Sequence, residues 1–390
     1  MTFLGEAQAL QEQLSSWRRH LHQHPEVAYE EVETARLVEE ALRGFGIDVK
    51  SGVGKTGVVG FIEGRALGPT VALRADMDAL PIQDGKSVSY TSSIPGKAHL
   101  CGHDAHTTML LGAAQLLSRH PPENGNVKLV FQPAEEGGAG AKAMIEDGVL
   151  SSPEVSAIFG IHVHHSLEVG HLSVCPGQSS AASDAFDLTI IGEGGHAAHP
   201  HLSVDAIVVA SEIVTALQQL VSRQTNPLQP LVITVGKIEG GYARNVIAPS
   251  VRLEATIRTL HVEVRERVPE LLERLVKGVC DAFGATYKLS YRHGYPSVHN
   301  HPSLVPVLRE AVGKMLDTKQ LTLREPSMGG EDFAFYTQKI PGLICRLGIR
   351  NETKETVYPL HHPMFDIDES ALPLGSALHA LFACTYLNNK

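Results

Sequence analysis

Short β-rich runs alternate with helical runs through the first half of this chain, and that alternation constrains the fold more than any other feature. Gly57 to Ile62, Thr70 to Arg74, Val127 to Phe131 and Val155 to His162 have the apolar, β-branched texture of buried strands. Helical stretches from His106 to Leu117 and Ala139 to Ile145 lie between them. Two helices precede the series: Glu6 to His22 carries Leu10, Leu14, Trp17 and Leu21 at helical spacing, and Glu30 to Leu42 repeats the pattern until Gly44 and Gly46 stop it. Such alternation builds an α/β sheet, and sheets of this kind place their sites in the loops at strand ends.

Around Ser179 to Ser183 the texture changes to a small-residue hinge. Strands from Phe186 to Ile191, Leu231 to Val235, Arg252 to Ile257 and Tyr287 to Tyr291 then enclose helices from Asp205 to Val221 and Val264 to Phe283. That order, β-α-β-β-α-β, reads as a ferredoxin-like domain inserted over residues 182–293. Residues 1–181 and 294–390 form the other domain, which resumes with a helix from Leu304 to Leu316 and closes with one from Glu369 to Leu387. A length of 390 residues suits two domains with sizeable cores.

The formal net charge of -10 opposes a nucleic-acid surface, whose footprint is basic. No apolar stretch reaches the eighteen residues of a membrane span, and the first residues lack the basic start and apolar core of a secretory signal, so the expected location is the cytoplasm. The 5 cysteines are odd in number and scattered, which suits reduced thiols. Gly52-Val-Gly-Lys-Thr-Gly57 imitates a phosphate loop, but the pattern needs a glycine where Val49 stands, so a turn is the better account.

Chemistry concentrates in Cys101-Gly-His103-Asp104-Ala-His106 and in Glu135-Glu136. A thiolate and an imidazole two residues apart in a glycine-containing loop can face one centre. His106 opens the next helix, where it either caps or packs. Glu135 and Glu136 follow an apolar strand, and adjacent acids in a turn face different ways, so one can ligate a metal while the other handles protons; the alternative is a solvated helix N-terminus. His162 closes the next strand, either as a core histidine or at the same pocket, and His361 lies far along the chain in Leu-His-His-Pro. His20, His22 and His24 read as structural.

The strings Leu73-Arg-Ala-Asp76-Met-Asp78-Ala-Leu-Pro81, His99-Leu-Cys-Gly-His-Asp-Ala-His106, Phe131-Gln-Pro-Ala-Glu-Glu-Gly-Gly138, Gly194-Gly-His196, Arg244-Asn245 and Met328-Gly-Gly-Glu-Asp332 resemble the amidohydrolase branch of the metallopeptidases related to aminoacylase-1. That branch includes hippurate hydrolase, indole-acetyl-amino-acid hydrolases and N-acetyl-diaminopimelate deacetylase. The resemblance runs from about His20 to Asp368. It implies two divalent metal ions per subunit (zinc, manganese, cobalt or nickel), with Cys101 bridging, His103 and His162 completing one and Glu136 and His361 the other. It further implies Glu135 as general base, Asp78 supporting a ligand, and a mixed-sheet catalytic domain. The inserted domain is then a lid and dimerisation domain, giving a homodimer or homotetramer, with His196 offered to the partner's site. Asn245 and Arg258 are implied as grips for the substrate carboxylate, Arg258 otherwise being a surface strand residue.

Val163-His164-His165 and His362 depart from the pattern, and His362 competes with His361 for the ligand role. The expected activity is hydrolysis of N-acyl-L-amino acids, with no nucleic-acid or membrane partner. A dipeptidase or carboxypeptidase of the same chemistry is the nearest alternative, and a non-catalytic metal-bound binding dimer is the next.

Overall fold

The apolar runs meet as neighbours in one mixed sheet in the computed structural model, which describes residues 2–390. Six of its ten strands stand in the order Asp48–Val53, Gly57–Glu63, Asn126–Gln132, Thr70–Asp76, Val155–Glu168, Gly342–Arg350. The last four run parallel to one another, whereas Gly57–Glu63 is antiparallel to both of its neighbours. All seven residues of Thr70–Asp76 are buried, as a central strand covered on both faces requires.

Helices His103–Arg119 and Ala371–Asn388 are almost wholly buried against each other and the sheet. Their close approach depends on small residues. A Cβ on Gly375 would stand 1.9 Å from Met109 Sδ, and one on Gly112 would stand 2.3 Å from Ser376 Oγ. Phe159 stacks on Phe382 with centroids 4.0 Å apart, tying strand to helix.

Several elements differ in extent from the sequence expectation. The opening helix is two, Phe3–Ala9 and Gln11–Gln23, because Leu10 leaves helical geometry at φ -91 and ψ 4. The site helix begins at His103 rather than His106, because Gly102 takes the left-handed φ of 87 that turns the chain directly into it. The fifth strand continues past His162 to Glu168, since residues through His164 and again Glu168 pair with Gly342–Arg350. Polar His164, His165 and Ser166 hide that continuation from any pattern of apolar residues. Ser179 to Ser183, expected as a hinge, is largely strand: Gly177–Ser180 and Ala182–Ile191.

The chain divides into two compact units. The first runs to Gly177 and takes in 299–325 and 332–390; the second comprises 178–298 and 326–331. Segment 326–331 joins the second because Ala181 N–H donates to Gly329 O and Ser327 N–H to Ser179 O.

The second unit has a core of its own, including Phe186, Leu188, Ile213, Leu253 and Leu272. Its antiparallel sheet has the order Leu231–Gly240, Ser250–Thr259, Ala182–Ile191, Thr286–Tyr295. Strict alternation of buried and half-buried positions along Ala182–Ile191 gives the sheet one core face, on which helices Ala206–Arg223 and Val262–Phe283 bury their apolar stripes. Asp205 caps the first helix, accepting from Ile207 N–H and Val208 N–H. Among the described residues no helix is long and apolar enough to cross a membrane.

Candidate metal centre

Thr70–Asp76, Asn126–Gln132 and Val155–Glu168 run parallel, so residues following the first two and those midway along the third are carried toward one edge of the sheet. Asp76 ends the first strand and Asp78 follows it. Gln132 ends the second, and Glu135 and Glu136 follow Pro133 and Ala134. Ala134 takes a left-handed φ of 53, which turns the chain sharply there.

Cys101, His103 and His162 offer ligand atoms that all lie within 4.8 Å of one another, and Cys101, Glu136 and His361 do the same. Cys101 is common to both groups. Glu135 joins Glu136 and His103 in a third group of the same size. The distance from Cys101 Sγ to His162 Nε2 is 3.7 Å, and from His361 Nε2 to Glu136 Oε1 it is 3.1 Å. His361 sits at φ 66, and its N–H donates to Leu100 O, which ties this distant loop to the residue before Cys101.

Asp78 orients two of these groups. Its carbonyl and Oδ1 face His103 Nδ1 at 2.9 and 3.2 Å, and its Oδ2 accepts from Glu136 N–H at 2.9 Å. With Nδ1–H donated to Asp78, the lone pair of His103 lies on Nε2, which is buried and makes no hydrogen bond. His162 donates Nδ1–H to Val163 O at 2.7 Å, leaving its Nε2 toward Cys101. His103 Nε2 and a Glu136 oxygen without hydrogen-bond partners, beside the Cys101 thiol and His162 Nε2, make a donor set that suits a divalent cation.

The electrostatics favour the ligating state at His162 and oppose it at His103, whose proton a bound cation must displace. Burial pushes the Cys101 thiol well above its ordinary range, so a thiolate there needs a cation beside it. Burial holds His162 well below the usual imidazole range and so keeps it neutral, the state in which it ligates. For His103 burial pulls the same way, but Asp76, Cys101 and Asp78 outweigh it and raise the group. Burial would raise Glu136, yet His361 and His103 hold it below the usual carboxylate range.

Behind the donors lies a set of charges that sequence reasoning missed. Arg74, fully buried, reaches Asp76 at 2.7 Å and Asp332 at 3.0 Å, and its Nε donates to Gln132 Oε1. Asp332 accepts from Gln132 and from Ala141 N–H, and its own N–H donates to Glu135 Oε1 at 3.3 Å. His106 neither caps nor offers a lone pair: Nδ1–H donates to Asp76 at 2.5 Å, and Nε2 accepts from Val163 N–H. The available signal was one arginine inside an otherwise apolar strand, since a buried guanidinium demands acids nearby.

His362 does not compete with His361. Its Nδ1 accepts from Met364 N–H, and its ring stacks on Tyr358. His164 is likewise committed, to Ser166 through Nδ1 and to Arg346 through Nε2, and it stacks on His165. His22 is structural, bonded to Asp104 and Asp84.

His196, Asn245 and Arg258 belong to the second unit and to none of these groups. His196 is exposed on a two-residue strand paired with Val246–Ile247. Asn245 is exposed, its carbonyl accepting from Ala197 N–H. Arg258 is half-buried and donates to Ile257 O; burial lowers its pKa, and Asp184 partly opposes that.

Comparison with known proteins places these observations in one family. The model of peptidase family M20/M25/M40 matches residues 72–385. IAA-amino acid hydrolase ILR1-like 4 of Arabidopsis thaliana is 44% identical over 376 residues, covering 95% of this chain and 84% of its own. Thermostable carboxypeptidase 2 of Saccharolobus solfataricus is 41% identical over 377 residues, covering 95% and 94%. The crystal structure of the Bacillus subtilis YxeP protein, described as a dinuclear metal binding peptidase from the M20 family, superposes with a TM-score of 0.85 at 35% identity, covering 98% of this chain and 100% of that one. With its family model spanning every donor from Cys101 to His361, this chain belongs to the M20/M25/M40 peptidase family and is a hydrolase of it.

Proposed function

We propose that the protein hydrolyses the amide bond of N-acyl-L-amino acids, with acetyl or aromatic acyl groups, to a carboxylate and a free amino acid. The observation that carries this reading is the pair of donor groups sharing Cys101, with Glu135 alongside. Cys101, His103 and His162 would hold one divalent metal, and Cys101, Glu136 and His361 the other. Bound metals supply Lewis acidity, polarising the scissile carbonyl and lowering the pKa of water.

The protein's own groups do the rest. Glu135 accepts the proton of the attacking water and returns it to the leaving nitrogen. The Asp332 N–H bond to Glu135 Oε1 helps to fix that carboxylate's orientation. Asp78 holds the His103 tautomer and the Glu136 backbone. Residues 182–293 serve as a ferredoxin-like lid and dimer contact, His196 stabilises developing charge in the partner's site, and Asn245 and Arg258 grip the substrate carboxylate. On this reading the protein works in the cytoplasm as a homodimer or homotetramer.

The indole-acetyl conjugate named for the plant relative supports an acyl-amino-acid substrate. The carboxypeptidase name of the archaeal relative supports a second reading, a peptide whose acyl half carries an amine. Rates on N-acetyl, N-benzoyl and long-chain acyl amino acids beside dipeptides separate them, measured on metal-stripped enzyme and after zinc, manganese, cobalt or nickel is restored. Metal-restored release of amino acid from the acyl series is expected. Dipeptides faster than every acyl amino acid would transfer the assignment to the carboxypeptidase, and silence across the panel with both metals bound would refute both. Glu135→Gln should keep its metal and lose nearly all turnover.

A further inference from the structure

We infer that Glu31, far from the donor strings in sequence, is a positioning residue whose carboxylate sets the turn that carries Glu135 and Glu136. The inference rests on the roles proposed above for those two acids. Glu31 lies at the start of helix Val32–Gly44, where an acidic side chain ordinarily caps the free backbone N–H groups. Here it makes no capping bond. Glu26 does that work instead, accepting from Glu33 N–H at 3.1 Å and Thr34 N–H at 2.8 Å.

The Glu31 side chain is fully buried and points elsewhere. Its Oε1 accepts from Ala134 N–H at 2.8 Å, and its Oε2 from the Thr56 hydroxyl at 2.6 Å. Ala134 is the left-handed residue between the strand and the acid pair, preceded by Pro133, which has no N–H to give. A buried N–H at a strained φ needs a partner to hold it there. Glu31 is that partner.

The remainder of the turn is held from the same segment. Tyr29 donates its hydroxyl to Gly138 O at 2.7 Å, and Lys55 Nζ sits 3.7 Å above the Tyr29 ring. Within the turn Gly137 N–H donates to Glu135 O and Gly140 N–H to Ala134 O. The turn is tight enough that a Cβ on Gly140 would lie 1.6 Å from Pro133 O. Tyr29 and Glu31 thus grip the acid turn at both ends, at Ala134 and at Gly138. Burial and the nearby Asp78 both disfavour a charged Glu31, while Thr56 and Ala134 favour it, so an acid here is retained against its own solvation.

The test uses the full-length enzyme and compares Glu31→Leu, Glu31→Gln, Tyr29→Phe and Glu135→Gln. Zinc binding to the stripped protein is titrated calorimetrically, and kcat and KM are read at saturating metal. Glu31→Leu should weaken zinc binding about 10-fold or more, because Glu136 rides on the turn, and lower kcat about 100-fold with KM within about threefold. Glu31→Gln can still accept from Ala134 N–H, so it should restore most of both. Tyr29→Phe, which removes one hydroxyl, should lower kcat several-fold and serves if the Leu variant does not fold. A folded Glu31→Leu protein with wild-type zinc affinity and kcat would overturn the inference, as would Gln and Leu variants equally impaired. Wild-type turnover in Glu135→Gln would instead remove Glu135 from the base role, leaving zinc affinity to judge Glu31.

Discussion

Replacing Arg265 by methionine should destabilise the second unit, and the deficit should shrink in acid. Asp184, with 1% of its side chain exposed, accepts from Arg265 Nε at 3.0 Å and Nη2 at 2.6 Å, from the Tyr291 hydroxyl at 2.9 Å and from Gly294 N–H at 2.9 Å. His293 stands 3.4 Å away. Breaking a buried pair by removing one partner costs about 3–5 kcal/mol. Arg265 keeps 16% exposure, and Tyr291 and Gly294 still hold the carboxylate, so about 3 kcal/mol is expected. Although burial raises Asp184, Arg265, Gly294 and Tyr291 together depress it below its usual value. A depressed carboxylate contributes stability above its unfolded pKa of about 3.9, and that contribution is lost as pH falls through the folded value. The substitution removes the main depressing cation. The difference between wild type and variant should therefore be full at pH 7 and fall as the pH drops below about 4. Urea unfolding of both proteins across that range measures it. A deficit under about 1 kcal/mol at pH 7, or one that grows in acid, would refute the reasoning.

Gly102→Ala should lower both metal content and melting temperature. Its φ of 87 costs an alanine about 1–2 kcal/mol, and the new Cβ would meet Val163 Cγ2 at 2.3 Å, so normal metal content by elemental analysis would count against the turn's role. Asp78→Ala leaves His103 Nδ1 only the backbone carbonyl and frees the Glu136 N–H, and should weaken metal binding by about 10-fold in a competition titration; unchanged affinity would deny the Asp78 side chain its supporting role. Phe159→Ala removes a ring stacked on Phe382 and should cost about 3–5 kcal/mol in chemical denaturation. A loss below about 1 kcal/mol would mean the core collapses around the gap.

The central strands were legible because burial on both faces writes itself as mostly apolar runs, as in Val127 to Phe131 and Val155 to Ile161. The reach of the fifth strand to Glu168 was not, because its outer half is polar and owes its extension to pairing with Gly342–Arg350. The donors were legible as residue types in strings, yet their convergence depends on long-range contacts such as the His361 N–H bond to Leu100 O. Arg74 and Asp332 stood in the quoted strings without an assigned role, and Glu31 was invisible as a site residue, since a lone charge in a sequence does not say what it will face. Segment 326–331 joined the second unit through two backbone bonds, and backbone bonds leave no trace in side-chain pattern.

With 21 histidines in the chain, residue type alone cannot separate ligands from structural imidazoles. The separation comes from which ring nitrogen the surroundings leave free. His103 and His162 each spend Nδ1–H on an oxygen and keep the Nε2 lone pair facing Cys101 and its neighbours. His106, one turn beyond His103, spends both nitrogens, one on Asp76 and one on Val163 N–H, so it has nothing to offer a metal although Asp76 and His103 lie within ligand range of it. His362 gives its Nδ1 lone pair to Met364 N–H, while its neighbour His361 faces Glu136 and Cys101. The same accounting applies to the acids. Asp76 is saturated by Arg74 and His106, and Asp332 by Arg74, Gln132 and Ala141, whereas Glu136 keeps a buried oxygen without a hydrogen bond. A donor set is thus defined by the lone pairs the fold declines to use, and the residues that saturate the neighbours are as much a part of the site as the ligands.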